Sequence, residues 1–164
     1  MRGSLFLLVV LFLSFLTLPV VSLPETVELQ SNTEIYKPAY SVRYCKLGPP
    51  MPLLGRIQPL AVYERSIHCW RVDYNAWGQK LFELHLEATW RYDGYRIVEV
   101  FHPDCWTVTY FGWTSGPCSA GWSYVYSTSA KAYATATFYH PLVQPQTRYV
   151  YAYVYGDGSG YCGG

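Results

Sequence analysis

Between residues 149 and 155, Tyr149, Tyr151, Tyr153 and Tyr155 alternate with Val150, Ala152 and Val154, and Gly156-Asp157-Gly158 ends the run. A repeat of two residues is the signature of a strand, whose successive side chains leave opposite faces of a sheet. One face of this strand is entirely phenolic and the other small and apolar. The phenolic face must either pack inside the domain or be displayed to a partner, and the function of the chain turns on which.

Other segments carry the same period. From Gln79 to Tyr92, Phe82, Leu84, Leu86, Ala88, Trp90 and Tyr92 fall on one side, and Glu83, His85, Glu87, Thr89 and Arg91 on the other, the pattern of a half-buried strand. Asp93-Gly94 follows, then a β-branched and aromatic run to Phe101, which predicts a hairpin. A three-residue loop over residues 92–94 sets Ala88 opposite Val98, Leu86 opposite Val100 and Glu87 opposite Glu99, keeping Glu99 in water. A two-residue loop would place Glu99 opposite Ala88, on the apolar face, so the three-residue loop is favoured. Residues 106–111 and 121–127 read as further strands. Alanine favours helix, but Ala130, Ala132, Ala134, Ala136 and Phe138 alternate with Tyr133, Thr135, Thr137 and Tyr139, which fits a strand whose alanine face admits a second sheet closely. Residues 156–160 read as a turn or a poorly ordered tail. No amphipathic helix stands out. The expected fold is all-β, an antiparallel sandwich or barrel-like single domain after an N-terminal signal peptide.

The leader rests on residues 1–22. A charged start at Arg2 precedes an apolar run, and Val20 and Ser22 occupy the minus-three and minus-one positions of a cut after Ser22. The rival is an uncleaved anchor, but the run is broken by Ser14, Thr17 and Pro19 and only just reaches the ~17–25 residues a span requires. Pro19 and the small residues fit processing. Residues 23–60, punctuated by Pro24, Pro38, Pro49, Pro50, Pro52 and Pro59, read as an irregular segment with short extended pieces at 26–29 and 40–44. Residues 61–164 read as the antiparallel β domain. The expected location is extracellular, with no membrane partner once the leader is removed.

Charge is distributed unevenly. Residues 105–164 carry only Lys131, Arg148 and Asp157 as charged side chains, yet hold ten of the 17 tyrosines. Without Arg2 the formal net charge is near zero and no basic patch stands out, which excludes a phosphate-neutralising nucleic-acid surface. All five cysteines, Cys45, Cys69, Cys105, Cys118 and Cys162, follow the leader, so disulfides are expected. An odd number leaves one thiol free or bonded to another molecule. Cys105–Cys118 is the favoured bridge, because it closes a Gly/Pro-containing loop between two strands. No C-x-x-C pair is present and no histidine has zinc spacing, so neither metal nor cofactor is expected.

Three readings of function follow. Foremost is a non-catalytic binding or surface-interaction role through aromatic side chains, with Tyr149, Tyr151, Tyr153, Tyr155 and Trp122 as the contact residues. The partner would be a carbohydrate or a protein surface, both suited to flat rings with a polar edge. The alternative is a subunit of an extracellular assembly, in which a nearly uncharged strand acts as an open sheet edge and the odd cysteine links molecules. Third is a small secreted hydrolase using Glu87 and Glu99 beside His85. Against it, an exposed antiparallel face carries charge by default, no G-x-S-x-G elbow is present, and Cys105 near His102 reads as a disulfide half.

Overall fold

The computed structural model describes residues 32–53 and 61–164, which fall in a unit running Ser31–Gly164. The stretch expected to be a signal peptide, 1–22, and the extended piece expected at 26–29 lie outside the described residues. After a 3-10 turn at Asn32–Tyr36 come eleven strands: β1 (Tyr40–Leu47), β2 (Met51–Pro52), β3 (Tyr63–Tyr74), β4 (Lys80–Tyr92), β5 (Ile97–Val100), β6 (Asp104–Thr109), β7 (Thr114–Ser115), β8 (Ser119–Val125), β9 (Ser129–His140), β10 (Val143–Tyr155) and β11 (Gly160–Gly163). Every pairing is antiparallel. Among the described residues no helix is long and apolar enough to cross a membrane.

The strands form two sheets that do not close into a barrel. In the first, β3 lies between β1 and β4, β2 shares the β1 edge of β3, and β5 and β6 share the far edge of β4. In the second the order is β11-β10-β9, with β7 and β8 both on the outer edge of β9. Each sheet is built from one continuous half of the described chain. The chain passes from the first sheet to the second through a two-residue turn at Phe111-Gly112, closed by the Trp113 amide donating to the Tyr110 carbonyl at 3.0 Å. Both turn residues have positive φ (50° and 78°), the geometry of a primed turn and an uncommon one for phenylalanine. A disulfide between Cys105 and Cys118 spans this crossing.

Alternation explains the core. The β4 residues Phe82, Leu84, Leu86, Ala88 and Trp90 are fully buried, and the alanines of β9 with Val150, Ala152 and Val154 of β10 face them from the second sheet. Large side chains on one sheet thus meet small ones on the other. Phe82 stacks on Phe138 with centroids 4.2 Å apart. Polar contacts also join the layers. The Trp90 indole donates to the Tyr155 carbonyl at 3.1 Å, and Arg148 reaches the buried Asp73 carboxylate at 2.9 Å, beside Arg71.

Several expectations are corrected. Within the stretch expected to be irregular, the extended piece at 40–44 is part of a longer strand, β1, which runs to Leu47 and pairs along its whole length with β3. The hairpin register is neither of those considered: Tyr92 pairs Ile97, Arg91 pairs Glu99 and Trp90 pairs Val100, leaving a four-residue loop at 93–96. The cause is the Asp93 side chain, whose Oδ1 accepts from the amides of Tyr95 (2.9 Å) and Arg96 (2.7 Å), with Gly94 at positive φ. Glu99 does point outward, but its partner is Arg91, at 2.6 Å, and Val98 is 53% exposed instead of opposing Ala88. Of the two readings of residues 156–160, the turn holds and the loose tail does not. These residues turn the chain into β11, and a Cβ on Gly158 would lie 2.3 Å from the Tyr92 ring, so only glycine lets this turn seat on the first sheet.

Trp90→Ala is expected to lower unfolding free energy by about 3–5 kcal/mol in urea titrations, since it empties the centre of the core. Val98→Ala should change it by less than ~0.5 kcal/mol. Comparable losses at both positions would contradict this register.

Candidate binding face and a buried imidazole chain

The side of the second sheet turned away from the core is lined with tyrosine. With Val150, Ala152 and Val154 buried, strand alternation sends Tyr149, Tyr151, Tyr153 and Tyr155 outward. Register sets Tyr133 opposite Tyr151, and both Lys131 and Tyr161 opposite Tyr153. Tyr153 and Tyr161 stack at 4.7 Å with nearly parallel planes, and Tyr124 and Tyr126 stack at 4.9 Å. A Cβ on Gly121 would stand 3.1 Å from the Tyr133 hydroxyl, so the glycine makes room for that ring. Tyr149 is 48% exposed and Tyr161 is exposed, while Tyr151, Tyr153 and Tyr155 are half-buried against their neighbours.

One cation serves this face. The Lys131 ammonium lies 4.0 Å from the Tyr151 centroid and 5.2 Å from that of Tyr153, a cation–π arrangement. A hydrogen bond with Tyr153 raises the lysine's pKa and keeps it charged. The Tyr155 phenol is raised in turn by its hydrogen bond with Tyr161. Strands β8 to β11 contain no carboxylate. The result is a phenol-edged surface with one charge, Lys131.

Trp122 does not belong to it. It pairs opposite the buried Ala132, packs against the core and donates from its indole to the Phe101 carbonyl at 2.7 Å. A bulge between Trp122 and Tyr124 reverses the alternation, so these two residues face opposite sides although they are two apart.

The outer side of the first sheet holds a second aromatic cluster, which sequence reasoning missed. Tyr44, Trp70, His68, His85 and Trp106, from four adjacent strands, stack on one another with centroids 4.6–5.1 Å apart along the row. Beneath it runs a polar chain. The ionised Glu83 carboxylate can only accept, so His85 Nε2 donates to it at 3.1 Å. His85 Nδ1 then accepts from His68 Nε2 at 3.1 Å. Lys80 and Tyr110 also donate to Glu83. Glu83 and His85, expected on a solvated face, are buried. Glu87 lies opposite His68 and Asp104 instead of Glu99, so the proposed carboxylate pair does not form. The chain orders two imidazoles, but among the described residues it connects them to no nucleophile. A cleft of about 490 Å³ beside Leu142 and Val143 lies apart from both clusters, and its only charged residue, Lys37, is paired with Glu34.

Burial pulls both imidazoles below their ordinary 6.5. Glu87 opposes the shift at His68, and Glu83 opposes it at His85. Burial pushes the Glu83 carboxyl up, but hydrogen bonds from Lys80 and Tyr110 outweigh it and hold the group below 4.5. No family model, curated protein or solved structure matches the chain.

A histidine with a lowered folded pKa leaves the unfolded chain to take up the extra proton. Stability is therefore full above about 6.5 and falls as pH drops through that value. Glu83 acts in the same direction lower down, its contribution being lost as pH falls through its folded pKa. The thermal midpoint should drop between about pH 7.5 and 5, and His68→Gln with His85→Gln should flatten that drop. An unchanged slope in the double variant would show that other groups carry it.

Proposed function

We propose that the chain is a secreted, non-catalytic binding module. In this reading residues 1–22 are cleaved after Ser22, and the two sheets form a sandwich that presents its tyrosine face to an uncharged, hydroxyl-rich surface such as a polysaccharide. The observation that carries this reading is the outward row of Tyr149, Tyr151, Tyr153 and Tyr155, flanked by Tyr133 and Tyr161 and free of carboxylates. Phenol rings offer apolar faces to sugar C–H groups and hydroxyls to their oxygens, at low cost in side-chain entropy. The disulfides are compatible with an oxidising compartment.

Self-association through the tyrosine strand is less well supported. β10 lies between β9 and β11, so over residues 151–154 its backbone groups are already paired on both sides. The hydrolase reading loses its motivation with the separation of Glu87 and Glu99.

Depletion assays with insoluble neutral polysaccharides test the proposal. Tyr151→Ala with Tyr153→Ala should weaken binding at least about tenfold, equivalent to ~1.4 kcal/mol, while far-ultraviolet circular dichroism is retained. Raising salt from about 0.05 to 0.5 M should change affinity less than about twofold, because so few charges face the ligand. Strong salt dependence, or binding indifferent to the double variant, would refute the assignment. Retention of a protein ligand by the same face, with no polysaccharide bound, would move the partner to a protein surface.

A further inference from the structure

The sulfurs of Cys45, Cys69 and Cys162 all lie within 4.8 Å of one another. The fold brings them together from three strands. Cys45 on β1 pairs directly opposite Cys69 on β3, and Cys162 on β11 reaches across from the second sheet. The Cα separations to Cys162 are nearly equal, 5.6 Å from Cys45 and 5.5 Å from Cys69, and both suit a disulfide. Either cysteine is therefore placed to bond Cys162, and because a sulfur forms only one disulfide, a bridge to Cys162 leaves one thiol of the trio unbonded. The third sulfur of the trio has no other partner within the chain, because Cys105 and Cys118 are bonded to each other.

We infer that Cys45, Cys69 and Cys162 form an intramolecular thiol–disulfide exchange site in which Cys162 is the shared sulfur. In one isomer Cys69–Cys162 is the bridge and Cys45 is the thiol. In the other Cys45–Cys162 is the bridge and Cys69 is the thiol. Exchange starts when the Cys45 thiolate attacks Cys162 Sγ. The Cys162–Cys69 bond breaks as the Cys45–Cys162 bond forms, and the electron pair leaves on Cys69 Sγ, which takes up the proton that Cys45 released. No oxidant or reductant is consumed. Both isomers keep β11 tied to the first sheet. They differ in where the thiol is displayed, since Cys45 is exposed and Cys69 is fully buried. An external disulfide therefore couples to the first isomer at Cys45 and is excluded from the second. Exchange thus decides whether this covalent modification site is open.

The test uses the leader-free chain, quenched in acid, unfolded in guanidinium so that both Cys45 and Cys69 are reachable, alkylated with maleimide at about pH 4, where thiolate is scarce and exchange slow, and mapped without reduction. One maleimide per chain is expected, divided between Cys45 and Cys69, with both bridges to Cys162 recovered. After incubation at about pH 8, material enriched in either isomer should return to one common ratio, at a rate rising about tenfold per pH unit below neutrality. Cys45→Ser should retain only Cys69–Cys162, and Cys69→Ser only Cys45–Cys162, each without a free thiol at the site. A Cys45–Cys69 bridge with Cys162 alkylated would overturn the inference. So would a single bridge in the wild-type chain that never redistributes at about pH 8, a measurement that needs no variant to fold.

Discussion

The close approach of two sheets, large side chains on one against alanine on the other, is the constraint on which the rest of this molecule depends. Phe82, Leu84, Leu86 and Trp90 need depth, and Ala130, Ala132, Ala134 and Ala136 yield it. Neither sheet could bury its inner face alone, because exposed strips of Leu, Phe and Trp, or of Ala and Val, would remain in water. The polar contacts between the layers make sense only at this spacing. The Trp90 indole finds a carbonyl of the second sheet, and the Asp73 carboxylate finds Arg148 where an unpaired buried charge would be costly.

With the interior so assigned, both outer faces inherit the remaining aromatic residues, and they use them differently. On the first sheet the rings stack on one another over a hydrogen-bonded chain of His68, His85 and Glu83, which engages their flat faces and favours rigidity. On the second sheet tyrosines surround a single ammonium and present hydroxyl edges outward. The contrast follows the charge distribution of the chain, because the first sheet comes from its charged half and the second from its aromatic half.

Strict alternation made β4, β9 and β10 legible, and with them the separation of a tyrosine face from an alanine and valine face, but which of these faced outward came only from the packing of the second sheet on the first. It failed at β3, where both faces are partly covered. Val72 and Asp73 are consecutive and both buried, so no period survives. Without β3, the row joining Tyr44, Trp70 and His85 could not be assembled, nor could the meeting of Cys45 with Cys69. Trp122 was misplaced by a bulge, and the hairpin register by the hydrogen bonds of one aspartate side chain. At Trp122 the inserted residue shifted the parity, which decides a side chain's destination in a sheet, whereas the aspartate bonds lengthened the hairpin loop and left Glu99 on its expected face.

The passage between the sheets at Phe111-Gly112 is the single such crossing among the described residues. Strands do not interleave between layers here as they do in Greek-key arrangements. Each sheet is therefore a local product of neighbouring sequence, and long-range order is concentrated in the docking of one prefabricated layer on the other. A backbone nick at that turn would leave the two halves still bound through the Cys105–Cys118 bridge and the bridge at Cys162, as complementary fragments of a single core.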